Sequence, residues 1–395
     1  MPSDTSAPVA GPLAGVTVLD LSTVGPAARA TRLLADYGAA VVKVGAVPGR
    51  GPGATVPPFF AYSAQRAMRR VQLDVRHAEG RDAFVALAAT ADVVVESFRP
   101  GVVDRLGIGY EALRAVNPGL VYCSTSGYGQ TGPRSAWAGH DLNYLAVSGF
   151  LASSGPRADG GPPLPGATIA DAAAGGMHAA LAITTALFSR QRTGVGTFLD
   201  VSVADGALWL MSLAVDEHLA TGAEPGPGHD VLSGRYACYD SYRAADGRWL
   251  AVAAIEAKFF ANLCRALGCE EWIDRQYDDE AQERLRSALA AAFARRDRDT
   301  WVELLSGDDT CVAPVQAVSE IAHDPQFLER SAVIEAKDTD GRIFCQVGAV
   351  LAGTAPVTTP VIVRDPAVTD TEDLLEAAGM DRTRIDELRR EGVLA

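Results

Sequence analysis

The sequence is short of positive charge and of cysteine. Among its 395 residues, 35 Lys and Arg stand against 49 Asp and Glu, which gives a formal net charge of −14 at pH 7. Duplex nucleic acid is bound by a basic face that neutralises phosphates, so this balance argues against that class but not against a small anionic ligand held by local arginines. The 6 cysteines contain no CxxC pair, a pattern typical of reduced thiols in the cytoplasm rather than of a disulfide framework or a zinc site.

The sequence also lacks a long unbroken apolar run. Residues Met1–Ala10 have neither the basic end nor the apolar stretch of a signal peptide. The most apolar long segment, Ala172–Phe188, is interrupted by Gly175, Gly176 and His178, whereas a membrane-spanning helix needs about 20 predominantly apolar residues. We therefore expect a buried helix there and no membrane span, and 48% hydrophobic residues suffice for a large core.

What is present in the first half is an alternation of strand-like and helical segments. Alternation of this kind predicts βαβ units and a parallel sheet, whose ligands bind beyond the carboxyl ends of the strands. The first turn, Ser22–Pro26, lacks both G-x-G-x-x-G and GK[ST], so a dinucleotide or P-loop site is not expected there. The predicted strands are Val16–Leu21, Ala40–Val44, Asp92–Glu96 and Leu120–Ser124, and the predicted helices are Ala27–Tyr37 and His77–Ala89.

A different pattern begins near Tyr236. Tyr236–Tyr242 and Arg248–Ala254 predict a hairpin, and amphipathic helices follow, so this block of α+β character has the size of a separate domain. Before it, Asp200–Thr221 predicts a helix and Gly222–Ser233 a linker. The Gly- and Pro-rich segment Gly45–Pro58 predicts a surface loop or mobile lid.

Arginines mark two candidate anion sites. Arg66, Arg69 and Arg70 lie in a stretch of sequence without an acid, and planar bidentate guanidinium groups suit phosphate recognition. Arg99 follows a predicted strand, at the end of the sheet where ligands bind. The alternatives are solvated surface charges for the cluster and an ordinary turn for Arg99.

Three further residues could carry acid–base chemistry. His140 can act as a base near neutral pH or be a structural histidine. Asp171 precedes an apolar helix, where it can cap the helix or act beside amides that stabilise an oxyanion. Glu256 lies at a junction of strand and helix, where an acid is also common without a function. The sequence separations do not show whether the three meet.

Several collinear motifs together identify a family. The sequence resembles the family III CoA-transferase superfamily, which contains formyl-CoA and carnitine-type transferases and α-methylacyl-CoA racemases. The matching segments are Gly15–Leu21, Leu33–Ala39, Glu96–Gly101, Gly127–Pro133, Thr193–Thr197, Cys311–Val315 and Ile385–Val393.

The resemblance implies an α/β fold with a Rossmann-like large domain of parallel sheet and helices. That domain is split in sequence into residues 1–221 and 326–395, with a linker over 222–235 and a smaller α+β domain over 236–325. An intertwined homodimer is implied as well, with the active site between the large domain of one chain and the small domain of its partner.

The racemase branch is favoured by two motifs. Ala138–Tyr144 matches the A-G-H-D-x-N-Y motif of racemases and Ala253–Glu256 resembles their G-A-I-E motif, while the glycine-rich loop of formyl-CoA-type transferases is lacking. By resemblance, His140 and Asp171 are opposed bases at the α-carbon of a 2-methylacyl-CoA thioester. Glu256 would orient His140 across the dimer, and amides near Asp171 would receive the enolate charge. The alternatives are CoA transfer to a carboxylic acid with Asp171 as nucleophile, and a non-catalytic CoA-binding paralogue.

The resemblance also implies how CoA is held. No prosthetic group and no metal is expected, since CoA enters as part of the acyl-CoA substrate. The sequence departs from the family at Gly45 and Gln65, close to the expected CoA site. The residues expected to bind the CoA phosphates are Lys43, Arg66, Arg69, Arg70 and Arg99.

Overall fold

A computed structural model describes residues 11–49, 66, 68–354, 357, 360–365 and 367–395. Most of the predicted loop at Gly45–Pro58 lies outside these residues. The chain divides into two compact units. Unit 1 takes the described residues up to Phe150 with Leu164–Met211 and Asp324–Ala395, and unit 2 takes Leu151–Pro163 with Ser212–His323. Unit 2 therefore includes more of the chain than the predicted small domain of residues 236–325.

The strands form three sheets. In chain order they are β1 (Thr17–Asp20), β2 (Ala40–Gly45), β3 (Arg69–Gln72), β4 (Val93–Glu96), β5 (Val121–Ser126), β6 (Thr197–Ser202), β7 (Tyr239–Arg243), β8 (Trp249–Ala253), β9 (Val312–Pro314), β10 (Val333–Asp338), β11 (Ile343–Val347) and β12 (Val361–Val363).

Most helices are short, and one segment, Ala170–Met177, is wound as a π-helix. The α-helices are α1 (Gly25–Asp36), α2 (Ala78–Thr90), α3 (Val102–Leu106), α4 (Tyr110–Arg114), α5 (Asp141–Val147), α6 (Phe150–Ser153), α7 (His178–Thr193), α8 (Val203–Leu210), α9 (Ser212–Thr221), α10 (Ala257–Leu267), α11 (Gln282–Phe293), α12 (Arg298–Leu305), α13 (Val318–Ile321), α14 (Pro325–Glu329), α15 (Thr371–Ala377) and α16 (Arg382–Arg390).

The main sheet of unit 1 has six parallel strands in the order β3-β2-β1-β4-β5-β6. The mixed α/β class and the Rossmann-like large domain are thus confirmed. The order reverses between β1 and β4, so the loops that follow these two strands diverge and leave a crevice at the carboxyl edge of the sheet. A smaller sheet of unit 1 has the order β11-β10-β12.

Helices cover both faces of the main sheet, because successive side chains on a buried strand point to opposite sides. Leu19 packs with apolar residues of α2, α15 and α16 on one face. Val18, its neighbour in β1, packs with α1 and α7 on the other face. The C-terminal helices α15 and α16 therefore belong to unit 1, although all of unit 2 precedes them in sequence.

The structure corrects one prediction of local structure and adds two further features. Asp200–Ser202 belong to β6 and pair with β5 rather than opening a helix, so the predicted helix begins only at Val203. The stretch with the arginine cluster contains strand β3, which pairs with β2. The C-terminal segment forms two helices, α15 and α16, and Gly379 between them adopts a left-handed φ of 91°.

Unit 2 has its own core. Strands β7, β8 and β9 form an antiparallel sheet whose first two strands are the predicted hairpin. Helices α10, α11 and α12 pack on it through buried side chains that include Phe260, Phe293 and Trp301. A sheet with helices that bury one common core is an α+β arrangement.

The apolar segment around Ala172 continues from the π-helix into α7. By length and composition Ala170–Thr193 could span a membrane, although the core helix of a globular protein meets the same criterion. In unit 1 its residues Ala179, Ile183 and Leu187 are buried against the main sheet. This packing is that of the predicted core helix.

A buried ion pair fixes the carboxyl ends of β1 and β2. The Lys43 ammonium lies 2.6 Å from Asp20 Oδ2 and 2.5 Å from the Ser22 carbonyl oxygen. Asp20, fully buried, also accepts hydrogen bonds from the Ser22 amide at 2.7 Å and from the Thr31 hydroxyl. The network therefore sets the course of the β1–α1 turn, because a buried charge is tolerated only when its partners are in place.

We predict that Lys43→Met lowers the free energy of unfolding by about 3–5 kcal/mol, since it leaves the Asp20 carboxylate buried without its cation. The double variant D20N/K43M should recover most of that loss, because its buried amide carries no charge. Urea unfolding of the three proteins measures both effects. A K43M protein as stable as the wild type would contradict the importance of this pair.

Candidate active site

A cavity of ≈ 630 Å³ opens where the strand order of the main sheet reverses. Its walls come from segments that leave the carboxyl ends of three strands: Val24–Pro26 after β1, Ser97–Pro100 after β4, and Thr125–Gly127 at the end of β5. Crevices at such positions are where open parallel sheets bind ligands. Its size is within the usual range for small-molecule sites.

Two of the predicted catalytic residues, His140 and Asp171, line this one cavity. His140 is exposed and precedes α5, and its amide donates a hydrogen bond of 3.0 Å to Asn143 Oδ1. Asp171 is half-buried in the first turn of the π-helix. Although they are distant in sequence, the fold brings together an imidazole and a carboxyl group.

Asp141 lies next to His140 and holds Asp171 in place. Its Oδ1 accepts the Asp171 amide hydrogen at 2.8 Å. Burial, and then the charge of Asp141, raise the pKa of Asp171 to about 6, while Arg29 and His140 oppose the rise. A carboxyl group with a pKa near neutrality can both accept and return a proton under physiological conditions.

Glycines allow helix α1 to approach the π-helix closely. A Cβ atom on Gly175 would lie 2.5 Å from Pro26 Cβ, and one on Gly176 would lie 2.6 Å from Arg29 Cβ. Both contacts are too short for any other residue, so the small residues that follow Asp171 serve the packing of α1. As a result, the N-terminal turn of α1 and Asp171 share the cavity.

The backbone amides of Asp171 and of the following residue, Ala172, are engaged within the protein. The Asp171 amide donates to Asp141, and the Ala172 amide donates to the Thr168 carbonyl oxygen at 2.9 Å. The oxyanion prediction made from the sequence gains no support from these two amides. Among the described residues, the buried Ser126 hydroxyl has no hydrogen-bond partner, and Ser126 lines the cavity.

Aromatic side chains form the wall beside His140. The Tyr128 ring makes edge contacts with Trp137 at 6.0 Å and with Tyr144 at 5.3 Å between centroids. The Tyr144 hydroxyl donates to the Gly139 carbonyl oxygen at 2.6 Å, and burial raises the pKa of Tyr144 to about 12, so the phenol stays protonated. Since Trp137 and Tyr144 line the cavity, it offers an apolar surface next to its polar groups.

Of the residues predicted to hold phosphates, Arg99 is the only one among the described residues that line the cavity. It is exposed on the loop that follows β4. Lys43, by contrast, uses its ammonium in the buried pair with Asp20. Binding of CoA by either residue stays a prediction.

The arginine cluster has carboxylate partners that its own stretch of sequence does not contain. Arg66 is buried and donates to Gln346 Oε1 at 2.7 Å and to the Val347 carbonyl oxygen at 2.5 Å. Arg69 is paired with Asp370 at 3.7 Å, and the Arg70 amide donates to the same carboxylate at 2.9 Å. The cluster therefore joins β3 to other parts of unit 1.

Glu256 belongs to unit 2. It precedes α10 and is exposed, at the end of a segment whose carbonyl groups are held by two side chains. Gln276 Nε2 donates to the Ile255 carbonyl oxygen at 2.6 Å, and the Tyr277 hydroxyl donates to the same oxygen. These contacts fix the backbone that presents the Glu256 carboxylate, and its predicted action on His140 stays a prediction.

Sequence reasoning missed three residues at this site. Arg29 lines the cavity, and its charge lowers the pKa of Asp171. Asp141 accepts a hydrogen bond from the Asp171 amide. Glu96 is buried and directly precedes the loop Ser97–Pro100 that lines the cavity. Of the three, only Asp141 could have been found from the sequence, because it lies within the motif Ala138–Tyr144 that contains His140. Among the residues that the structure describes, no group of three or more His, Cys, Asp or Glu could hold a metal ion.

Comparison with known proteins supports one family. The family model for CoA-transferase family III matches residues 13–369. The sequence is 33% identical over 384 residues to the alpha-methylacyl-CoA racemase of Homo sapiens, with 97% of each chain covered. It is 32% identical over 355 residues to the acetyl-CoA:oxalate CoA-transferase of Acetobacter aceti, covering 85% of this chain and 89% of that protein.

A solved structure agrees with this assignment. The fold is similar to the crystal structure of a CAIB/BAIF family protein from Brucella suis, with a TM-score of 0.75 and 27% identity over 94% of this chain and 100% of that one. Racemase and transferase relatives both resemble this chain over most of its length.

We predict that Asp171→Asn stabilises the protein at pH 8 and has little effect at pH 4. The pKa of Asp171 is raised in the fold from 3.8 to about 6, so its contribution to stability is full at low pH and is lost as the pH rises through that range. The neutral amide avoids this loss, and the gain at pH 8 should be roughly 1–2 kcal/mol after solvent screening.

Urea unfolding at the two pH values measures the gain, and the same substitution in an Asp141→Asn background serves as its control. There the gain should shrink, because the charge of Asp141 is one cause of the raised pKa. A gain of the same size at pH 4 and pH 8 would contradict the assignment.

Proposed function

This chain belongs to CoA-transferase family III, and on that premise we propose that it epimerises the α-carbon of 2-methylacyl-CoA thioesters. One base removes the α-proton, the electron pair moves to the thioester oxygen as an enolate, and a proton is then returned to the opposite face of the carbon. The proton count is unchanged, so no oxidant, reductant or second substrate is needed.

The observation that carries this proposal is the pairing of His140 with Asp171 in one cavity. Inversion needs two groups that can each hold or give a proton, and an imidazole with a carboxyl group of pKa about 6 meets that need near neutral pH. Direct CoA transfer has no step that calls for an imidazole. Arg29, beside Asp171, lowers the cost of its carboxylate form.

CoA transfer to a carboxylic acid is the second candidate. The Acetobacter aceti transferase is nearly as similar to this chain as the human racemase is. In this reaction the Asp171 carboxylate would attack the thioester carbonyl and expel CoA as a thiolate, which leaves a mixed anhydride. The thiolate would then attack the Asp171 carbonyl, releasing the first carboxylic acid and forming an aspartyl-CoA thioester. The acceptor carboxylate would attack this thioester and expel the thiolate once more, and attack of the thiolate on the acceptor carbonyl of the new anhydride would give the product acyl-CoA and free Asp171. The proposals differ in whether the α-proton is ever removed.

An intertwined homodimer is proposed as the working form. Large apolar side chains are exposed along α8 and α9, among them Trp209 at 74%, Leu213 at 67% and Leu219 at 76%. Large apolar side chains exposed in this way are often covered at an interface between chains. In such a dimer Glu256 of one chain would accept a hydrogen bond from His140 of the other and so fix its tautomer.

We predict that the wild-type protein, incubated in D₂O with single-isomer 2-methylacyl-CoA, exchanges the α-proton for deuterium and loses optical purity. His140→Ala and Asp171→Ala should each lower exchange by at least about 10²-fold, since each removes one of the two proton carriers. Mass spectrometry and chiral analysis of the product measure both events.

His77→Asn is the matched control, because His77 is exposed, lies outside the cavity and caps α2 through a side chain that asparagine can replace. Its exchange rate should equal that of the wild type. If no deuterium enters and CoA instead appears on an added carboxylic acid, the transferase reading is correct and the epimerase reading fails.

We predict that a heterodimer of His140→Ala and Glu256→Ala chains is active, although each homodimer is nearly inactive. If His140 and Glu256 meet across the dimer, one of its two sites combines both intact residues, and activity should recover to about half that of the wild type. Differently tagged chains, co-expressed and purified through both tags, provide the sample. An inactive heterodimer would show that each chain completes its own site.

A further inference from the structure

We propose that Glu96 is a positioning residue that holds the loop Ser97–Gly101, and with it Arg99, against the cavity. This inference rests on the proposed function only in that CoA is the ligand. It concerns a residue that precedes the loop in sequence and does not itself line the cavity. Its carboxyl group would act on the ligand through the backbone of the loop.

Glu96 is the last residue of β4 and is only 2% exposed. Its Oε2 accepts the Phe98 amide hydrogen at 2.6 Å. This bond ties the first turn of the loop to the end of a central strand. The next residue, Arg99, is exposed, and Ser97–Pro100 all line the cavity.

A chain of hydrogen bonds links Glu96 to a second wall of the cavity. The Ser124 hydroxyl bonds the Glu96 carboxyl group and receives the Gln130 side-chain amide at 2.8 Å. The Gln130 backbone amide donates to Asp200 at 3.0 Å, and the Thr125 hydroxyl donates to the Glu96 carbonyl oxygen at 3.2 Å. Glu96 of β4 is thereby connected to Ser124 and Thr125 of β5, and through Gln130 to Asp200 of β6.

The protonation of Glu96 is set by its surroundings. Burial raises the pKa of Glu96 to about 7, helped by the charge of Asp104, while the bonds from Ser124 and Phe98 oppose the rise. Tyr122 and Cys123, on the neighbouring strand, are the other titratable groups that feel its charge. In either state one carboxyl oxygen can accept the Phe98 amide, and a glutamine oxygen can do the same.

Loss of the Glu96 oxygen that accepts the Phe98 amide should weaken CoA binding rather than slow the chemical step. The Phe98 amide would then have to find another partner, and the loop would move to satisfy it, because an unpaired buried amide costs about 1–3 kcal/mol. Arg99 moves with the loop, whereas His140 and Asp171 are placed by other elements. The expected signature is therefore weaker CoA binding with little change in kcat.

The test compares Glu96→Leu with Glu96→Gln. In calorimetric titration with CoA, E96L should raise Kd about tenfold, the equivalent of about 1.4 kcal/mol, and E96Q should stay within about twofold of the wild type. In α-proton exchange, KM of E96L should rise in parallel and kcat should change less than about threefold.

Asp92→Leu is the matched control. Asp92 directly precedes the same strand at its other end, where its Oδ2 accepts the Thr17 amide at 2.7 Å and its Oδ1 pairs with Arg190, away from the cavity. This variant should lose stability but keep the wild-type Kd for CoA. A separate readout is stability against pH: E96Q should become more stable than the wild type as the pH rises from 5 to 8, because the fold disfavours the ionised Glu96.

The outcomes distinguish failure of the Glu96 proposal from failure of the proposed epimerase function. If the wild type binds CoA and E96L binds it equally well, or if E96Q is as impaired as E96L, Glu96 does not position the loop. If E96L lowers kcat and leaves KM unchanged, the proposal is equally overturned. A wild-type protein that fails to bind CoA contradicts the proposed function, and with it the ligand assigned to this loop.

Discussion

The reversal of strand order between β1 and β4 is the constraint on which the site depends. Parallel strands end at one edge of the sheet, and there the loops after β1 and β4 turn to opposite faces because their helices pack on opposite sides. The space left between the loops is the cavity. The cavity-lining residues His140, Asp171 and Arg99 owe their places to this edge or to elements packed near it.

Close packing of α1 on the π-helix converts that crevice into a chemical site. Gly175 and Gly176 remove the side chains that would separate the two elements. The amide of Asp171 is then taken up by Asp141, which leaves the carboxyl group directed at the same cavity as His140. π-Helical turns often occur at functional sites, and here the turn carries the acid on which both proposed reactions depend.

Several cationic side chains of this protein form contacts within the protein itself. Lys43 neutralises Asp20, and Arg66 bonds to Gln346 and Val347, so these two cations stabilise the fold. Arg99, unlike Lys43 and Arg66, is exposed, and it lies on a loop that lines the cavity. An acidic protein that binds a polyanion needs such local exceptions, and their position has to be maintained by the backbone beneath them.

Particular residues show which features of the fold and the site can be predicted from the sequence. Its apolar periodicity and motifs determined the parallel sheet, the hairpin of the small unit, and His140 and Asp171 as candidates, because these depend on local pattern or on a family motif. The tertiary structure decided what lay beyond local pattern. It showed Asp200–Ser202 to be a strand, since pairing with β5 overrode the helical pattern. It placed Asp370 beside arginines from a stretch of sequence without acids, and it made Glu96 a buried group, because burial and long-range contacts arise only when distant segments pack together.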